Sequence, residues 1–209
     1  MDNFSEFSND KINLNISIQK YNTAIITGGA GRVGSVFTKI LINNNVKVFC
    51  FSRSKKNFNN FKRSLTENEK KNLFFFKCDL EKFENIDNLI KKNKKKFKNV
   101  DLLVNCGSSS FRGEFFKYSK SNIIQESKNM ILGTIYLTEK LLPFLRKNKS
   151  TKIINVGSIW GLLSPRGKTY LNLGIGPTAV LAASKAGIDN YTKYLAGREA
   201  KFNIIVNNL

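Results

Sequence analysis

Thr27-Gly28-Gly29-Ala30-Gly31-Arg32-Val33-Gly34 is a glycine-rich segment between a predicted strand and a predicted helix, and it is the most informative part of this sequence. Residues 23–26, Thr-Ala-Ile-Ile, are a β-branched apolar run of the kind that builds a buried strand. Apolar side chains at helical spacing follow the turn, namely Val33, Val36, Phe37, Ile40 and Leu41. Glycines between a strand and a helix let the backbone approach an anion, which the helix N-terminus attracts. The stretch therefore predicts a dinucleotide site, although the glycines alone would also suit an ordinary tight turn.

Three glycines of this turn have separate predicted roles. Gly28 is expected to take a backbone conformation that is closed to other residues. Gly31 is expected to leave room for a phosphate, because it has no Cβ. Gly34 is expected to let the following helix press against the strand, which brings the helix N-terminus close to the bound anion.

Composition indicates one globular domain with an unusual charge. The chain has 209 residues, of which 41% are hydrophobic and 11% aromatic, and its net charge is +20. Such a charge is compatible with nucleic-acid or anionic-membrane binding, and the lysine-rich helix near residues 91–98 is the best candidate for it. The lysines are nevertheless spread along the chain, as AT-rich coding would produce. We therefore predict neither a nucleic-acid nor a membrane partner.

The rare residue types exclude several kinds of chemistry. The chain has no histidine, which excludes Ser-His-Asp and Cys-His catalysis and most zinc sites, so no metal is predicted. Cys50, Cys78 and Cys106 lie at or near the ends of predicted strands and are odd in number, which favours reduced thiols in a cytoplasmic protein. No apolar run approaches the roughly 20 residues that span a bilayer. Residues 1–20 lack the features of a signal peptide and are interpreted as a polar lead-in.

Strands and helices alternate along the rest of the chain. Further strands are predicted at 46–51, 73–78, 101–105, 152–156 and 203–206, with helices at 59–70, 83–97, 122–145 and 178–202. Strict alternation predicts an α/β fold with a doubly wound parallel sheet of about six strands, in a single domain over 21–209. Ligands of such sheets bind at the carboxyl ends of the strands.

These residues resemble the short-chain dehydrogenase/reductase family over nearly the whole chain, from Tyr21 to Leu209. The glycine turn is similar to the family's cofactor turn, Asp79-Leu80 to its adenine-contacting pair, and residues 103–107 to its Asn-Asn-Ala-Gly turn. The resemblance implies an oxidoreductase that acts on a small carbonyl or alcohol with a nicotinamide cofactor. The candidate cofactor-binding residues are Thr27, Gly28, Gly31, Arg32, Val33, Gly34, Ser52, Arg53, Asp79, Leu80, Asn105 and Lys185.

The family's catalytic set is incomplete in this sequence. Residues 155–161 resemble the segment with the catalytic serine, which assigns that role to Ser158. Residues 181–187 resemble the Tyr-x-x-x-Lys segment, in which Lys185 matches the lysine but Leu181 replaces the tyrosine. The family's asparagine falls at Met130, and the adjacent Asn129 would point about 100° away on a regular helix.

Loss of the tyrosine implies impaired catalysis, because the phenol is the family's general acid and base. Tyr170 is the candidate substitute, since it lies in the glycine- and proline-rich loop after Ser158. The alternative is a catalytically inactive dinucleotide-binding relative or partner subunit. Residues 158–177 also resemble a subgroup associated with surface-sugar biosynthesis. The family continues beyond its sixth strand, so the end at Leu209 suggests a truncated domain.

Charge at the end of the second strand favours NADP over NAD. An NAD enzyme needs a carboxylate there to hold the ribose 2′-hydroxyl, but this chain has Ser52 followed by Arg53. Arg53 and Arg32 are both able to pair with a 2′-phosphate.

Assembly into a homodimer or homotetramer is predicted from the long helix at 122–145. Its apolar side chains exceed what one sheet face can cover, and they include Ile131, Ile135, Leu142 and Leu145. Members of the family pair through the equivalent helix.

Overall fold

The computed structural model describes residues 21–108, 119–164, 166, 170 and 178–209. In these residues six parallel strands form one sheet in the order β3-β2-β1-β4-β5-β6, which confirms the predicted doubly wound α/β fold. The strands are β1 (Thr23–Thr27), β2 (Lys47–Ser52), β3 (Leu73–Lys77), β4 (Leu102–Asn105), β5 (Thr151–Asn155) and β6 (Ile204–Asn208). Strand order reverses between β1 and β4, so a crevice opens there at the carboxyl ends.

Helices pack on both faces of the sheet. They are α1 (Gly34–Asn43), α2 (Lys55–Arg63), α3 (Glu67–Lys70), α4 (Phe83–Phe97), α5 (Lys120–Ser127), α6 (Gly133–Leu145) and α7 (Ala179–Glu199). A π-helical turn, Lys128–Leu132, joins α5 to α6. In the described ranges, none of these helices combines the length and apolar character that a bilayer crossing requires. The predicted lead-in, 1–20, and most of the loop after Ser164 lie outside the described residues.

Alternate residues of the strands build two separate cores. Ile25 of β1 faces a cluster that also holds Phe97 of α4 and Leu141 of α6. Ile26, the next residue, faces the cluster that holds Leu41 of α1. Because both faces of a parallel sheet are buried, its central strands consist of continuous apolar runs rather than alternating ones. This explains why the central strands could be located from the sequence alone.

The helix predicted at 59–70 is two helices, which corrects the sequence interpretation. Chain direction changes at Thr66, whose hydroxyl accepts a hydrogen bond from the Glu69 N–H at 3.3 Å. The Glu69 carboxylate in turn accepts from the Thr66 N–H at 2.7 Å. This reciprocal capping box starts α3 as a new helix, because it satisfies two N–H groups that a continuous helix would have bonded internally.

The helix predicted at 122–145 is also interrupted, by the π-helical turn. The N–H of Gly133 donates to the carbonyl of Lys128, five residues earlier. A Cβ at Gly133 would lie 2.3 Å from the carbonyl oxygen of Leu80, so glycine lets this helix pack against the turn after β3. The π turn changes which side chains face the sheet edge, and it therefore affects the site described below.

Two of the residues that the sequence analysis named for subunit assembly are not exposed. Leu142 and Leu145 are buried in the monomer core, because this part of α6 packs on the sheet beside α7. Exposed apolar side chains lie instead nearer the start of the helix, at Ile123, Ile124 and Leu132. Assembly through this helix therefore stays a prediction that rests on a different set of residues.

A buried carboxylate joins the ends of α6 and α7. Glu199 is fully buried, and both of its oxygens accept hydrogen bonds at 2.7 Å from Arg146, through Nε and Nη2. Arg198 donates a further bond from Nε at 2.6 Å. Hydrogen bonds from Arg146, followed by those from Arg198, hold the pKa of Glu199 below its ordinary value despite burial. The carboxylate is therefore stabilised in its charged form.

Replacement of Glu199 by glutamine is expected to lower the free energy of unfolding by about 3 kcal/mol, because two guanidinium groups lose their shared counter-charge. Since the folded pKa is lowered, this contribution is present above the unfolded pKa of about 4.3 and is lost as pH falls through the folded value. Urea unfolding of both proteins at pH 7 and near pH 3 measures it. The exposed Glu84, changed to glutamine, is the control, and an equal loss there would contradict the expectation.

Candidate functional site

The glycine turn is held in place by the end of β4. Gly28 has φ +65°, and a Cβ there would lie 3.0 Å from the carbonyl oxygen of Cys106, so both conformation and space require glycine. The hydroxyl of Thr27 accepts hydrogen bonds from the N–H groups of Cys106 at 3.0 Å and Gly107 at 2.8 Å. Thr27, a predicted cofactor residue, therefore joins the turn after β1 to the turn after β4.

The start of α1 lies directly against this turn. A Cβ at Gly34 would approach the Gly28 carbonyl oxygen to 2.3 Å, so the close approach predicted for this glycine is present, with the turn as its partner. Within the described part of the chain, no side chain caps α1 at Val33. The N–H of Ser35 donates to the carbonyl of Gly31 at 2.9 Å, and that of Val36 to the carbonyl of Val33 at 3.1 Å. What the start of α1 offers to an anion is therefore mainly its positive dipole end, which suits a phosphate group.

A cavity of about 370 Å³ opens beside the cradle. It is lined by the predicted residues Thr27, Gly28, Gly31, Arg32, Ser52, Arg53, Asp79 and Leu80. Four other predicted cofactor residues lie outside its lining, namely Val33, Gly34, Asn105 and Lys185. Most of the predicted adenosine and phosphate contacts are thus brought together at the carboxyl ends of β1, β2 and β3.

Sequence reasoning missed part of the lining, which also includes Ala30, Phe51, Ser54, Asn57, Cys78, Gly107, Ser108 and Asn129. Asn129 is the informative member of this set. It lies on the π-helical turn, buried and facing the cavity, while Met130 is buried beside it. The expectation that Asn129 points away assumed a regular helix, and nothing in the local sequence signals the π turn.

Asn105 was predicted to contact the cofactor, but in the structure its side chain joins parts of the protein to one another. Its amide donates hydrogen bonds to the hydroxyl of Thr138 at 3.0 Å and to Oδ1 of Asn155 at 2.8 Å. Asn155 in turn donates to the hydroxyl of Thr192 at 2.8 Å. This buried network joins β4 and β5 to α6 and α7, so both amide hydrogens of Asn105 are used within the protein.

Charged side chains of both signs lie at or beside the cavity. Nη1 of Arg53 lies 3.1 Å from Oε1 of Glu81, and Arg32 is exposed on the glycine turn. Asp79, at the end of β3, accepts a hydrogen bond from the Glu81 N–H at 3.2 Å. The two predicted phosphate-binding arginines thus share this region with two carboxylates, one of which is paired to Arg53.

The segments that contain the predicted catalytic residues Ser158 and Lys185 pack together, where the chain after β5 meets the N-terminal part of α7. The hydroxyl of Ser158 accepts a hydrogen bond from the Trp160 N–H at 3.2 Å and so caps a short 3₁₀ turn. Gly161, in that turn, packs on α7, where a Cβ would lie 2.9 Å from the carbonyl carbon of Lys185. Packing therefore places the Ser158 turn beside Lys185, although 27 positions separate the two in the sequence.

Lys185 is bonded to the main chain. Its Nζ donates a hydrogen bond to the carbonyl of Val156 at 2.5 Å. Burial lowers the pKa of this ammonium, and the neighbouring Cys106 and Asp189 oppose that shift. Burial likewise raises the pKa of the Cys106 thiol, which Lys185 partly offsets. The Cys106 thiol and the Lys185 ammonium therefore affect each other's pKa at the carboxyl ends of the strands.

The tyrosine position contains no proton donor. Leu181 lies one turn before Lys185 on α7, and its N–H donates to the hydroxyl of Thr178 at 2.9 Å. The side chain of Leu181 is apolar and has no titratable proton. Tyr170, the predicted substitute, packs its ring edge-on against Trp160 with 5.9 Å between the ring centroids. It therefore lies beside the turn that Ser158 caps.

All three cysteines are free thiols, as predicted. Burial raises the pKa of Cys50 and of Cys78 to about 12, so both stay protonated at neutral pH. Cys106 is only partly buried, which corrects the expectation that all three would be enclosed.

The strand order of the sheet reverses beside the glycine-rich turn. This arrangement is typical of doubly wound α/β proteins that bind a dinucleotide at the reversal point. The family model for short chain dehydrogenases matches residues 22–209. The chain therefore belongs to the short-chain dehydrogenase family, whose members are oxidoreductases that use nicotinamide dinucleotides. This confirms the family resemblance seen in the sequence.

A curated relative is similar in sequence, and two solved structures share the fold. The chain is 27% identical over 188 residues to the 7alpha-hydroxysteroid dehydrogenase of Bacteroides fragilis, covering 88% of this chain and 68% of the relative. A short chain dehydrogenase from Leptospira borgpetersenii, solved with bound NAD+, has a similar fold at TM-score 0.77 and 24% identity, covering 90% and 70%. A tyrosine-to-phenylalanine variant of ElxO with NADPH bound gives TM-score 0.76 and 23% identity, covering 90% and 72%.

Proposed function

We propose that this chain binds NADP(H) in preference to NAD(H) and is a slow oxidoreductase for a small carbonyl or alcohol. The observation that carries the cofactor proposal is the placement of Arg32 and Arg53 on one cavity, beside the glycine cradle. Slow turnover follows from Leu181, because the position of the family's general acid has no transferable proton.

The described residues fit a dinucleotide of this kind. The uncapped start of α1 and the Gly28 turn suit a pyrophosphate, Asp79 and Leu80 suit the adenine, and the two arginines suit a 2′-phosphate. When bound, the nicotinamide supplies or accepts the hydride. The ElxO variant, which shares this fold, was solved with NADPH bound, so a protein of this fold is known to bind this cofactor.

The remaining catalytic residues have limited tasks in this proposal. The Ser158 hydroxyl, which accepts from Trp160, still has its own hydrogen to donate to a substrate oxygen. Lys185 would exchange the Val156 carbonyl for a ribose hydroxyl of the cofactor. The lowered pKa of Lys185 also brings its ammonium closer to the range of a proton donor. All three cysteines are free thiols, which is typical of proteins in the reducing cytoplasm, and we propose that location for this chain.

Replacement of Arg53 by glutamine is expected to weaken NADP(H) binding about tenfold and to leave NAD(H) binding unchanged, because only NADP(H) has the 2′-phosphate that pairs with this guanidinium. Calorimetric titration of both cofactors measures the difference. Arg63→Gln is the matched control, since this arginine is exposed at the end of α2 and does not line the cavity. Equal weakening of both cofactors by Arg53→Gln would contradict the proposal.

A second candidate function is that of a dinucleotide-binding relative without catalysis, for example a partner subunit. Three observations favour it: the leucine at position 181, the methionine at position 130, and the bond between Lys185 and the Val156 carbonyl. Cofactor binding without turnover on any carbonyl would distinguish this candidate from a slow enzyme. The exposed apolar start of the α5–α6 helix is then the surface expected to meet the partner or a second copy.

A further inference from the structure

Glu81 is a carboxylate beside the cavity: it is not itself a lining residue, but it contacts Arg53 and Asn129, which are. It follows Asp79-Leu80 at the end of β3, and its side chain is only 17% exposed. Its Oε1 accepts hydrogen bonds from Nδ2 of Asn129 at 2.9 Å and Nη1 of Arg53 at 3.1 Å. Its Oε2 accepts from Nε2 of Gln125 at 3.2 Å. Three donors from two parts of the chain, Arg53 after β2 and the helical stretch that holds Gln125 and Asn129, thus hold one carboxylate in place.

The two amides, rather than the arginine, fix its position. Asn129 is buried on the π-helical turn, whereas the Arg53 side chain is 53% exposed. An ion pair as open as this contributes little to the position of the arginine. Arg53 also offers only Nη1 to Glu81, which leaves its other N–H groups for an anion in the cavity that it lines.

Glu81 therefore makes the surroundings of a bound 2′-phosphate less positive. Arg32 and Arg53 bring two positive charges, and Asp79 and Glu81 bring two negative ones. A 2′-phosphate that pairs with Arg53 must share the guanidinium with a carboxylate that cannot move away. The repulsion between the two anions opposes part of the pairing energy.

We propose that Glu81 is a specificity-determining residue that limits the preference for a 2′-phosphorylated cofactor. The inference rests on the proposed function, and it concerns the balance between two cofactors at one site. In it, Arg53 attracts the 2′-phosphate, Glu81 weakens that attraction, and Asn129 and Gln125 hold Glu81 where it acts.

Glu81→Gln tests this directly, because glutamine keeps the length of the side chain and removes its charge. The probes are adenosine 2′,5′-bisphosphate and AMP, titrated by calorimetry, since they differ only in the 2′-phosphate and need no turnover. The variant is expected to bind the bisphosphate about tenfold more tightly than the unmodified chain does, with AMP unchanged. In an Arg53→Gln background, the same substitution should have a smaller effect, because the guanidinium that the two anions share is gone.

One matched control tests whether the effect is specific to Glu81, and the other outcomes separate the inference from the proposed function. Glu84→Gln makes the same change in net charge at an exposed position three residues away, and an equal gain there would overturn the inference. Weaker binding of the bisphosphate by Glu81→Gln would overturn it too, since Glu81 would then be positioning Arg53. If both probes bind the unmodified chain but Glu81→Gln leaves their ratio unchanged, the inference alone fails. If neither probe binds the unmodified chain, the proposed function fails and the inference with it.

Discussion

Gly34→Ala is expected to weaken dinucleotide binding at least 100-fold and to lower the free energy of unfolding by about 2 kcal/mol. The added methyl group would lie 2.3 Å from the carbonyl oxygen of Gly28 and 2.8 Å from its carbonyl carbon. Both are backbone atoms, so they cannot rotate aside. Either α1 or the glycine turn must shift, and each shift changes the site at which the dipole end of α1 meets the phosphate. Calorimetry with NADPH and urea unfolding measure the two effects.

Gly197→Ala is the matched control for this substitution. Gly197 also lies in a helix, α7, but no described atom lies within 4 Å of the position that its Cβ would take. Alanine there is expected to raise the free energy of unfolding by up to about 1 kcal/mol, because it restricts the unfolded chain. Binding should not change. Tight NADPH binding by Gly34→Ala would show that the phosphate does not use this cradle.

Leu181→Tyr is expected to raise the rate of NADPH oxidation by aldehydes or ketones about 10²-fold over a nearly inactive native chain. The new phenol would lie one helical turn before Lys185, whose ammonium favours its ionised form. The gain should stay incomplete, because Met130 still stands where the family has an asparagine. A panel of carbonyl compounds, followed at the NADPH absorbance, measures the rates.

Leu181→Phe is the control, since it adds the ring without the hydroxyl and should leave the native rate unchanged. Tyr170→Phe tests the other tyrosine beside the Ser158 turn. Fast turnover by the native chain would contradict the impaired state proposed for it. Loss of that turnover in Tyr170→Phe would then identify Tyr170 as the acid.

Local patterns predicted the sheet and the phosphate cradle well. Each central strand is a short apolar run buried on both faces, so its position depends on neighbouring residues alone. The conformation of Gly28 and the close approach of Gly34 likewise follow from residues within one turn. For this reason the parallel six-stranded sheet agrees with the sequence analysis, and half of the cavity lining consists of residues that it named.

Features that depend on distant residues were not predictable in the same way. Asn129 reaches the cavity because a π turn interrupts its helix, and this turn packs against Leu80, which is 49 positions earlier. The charge argument for NADP considered residues after β1 and β2, whereas Glu81 comes from the end of β3. Leu142 and Leu145 seemed surplus because the sequence does not show which helix faces share one core. The roles of Ser158 and Lys185 and the extent of the domain stay predictions.

The hydroxyl of Thr27 has a consequence for the order in which this molecule folds. Its two hydrogen bonds to the turn after β4 join positions 79 and 80 residues apart. The chain must close that long loop before the cradle has its final shape, and loop closure costs conformational entropy. An isolated β1-α1-β2 segment would therefore contain all the glycines of the turn without the partner that fixes them. We therefore expect ligand recognition to arise late in folding, after β4 has docked.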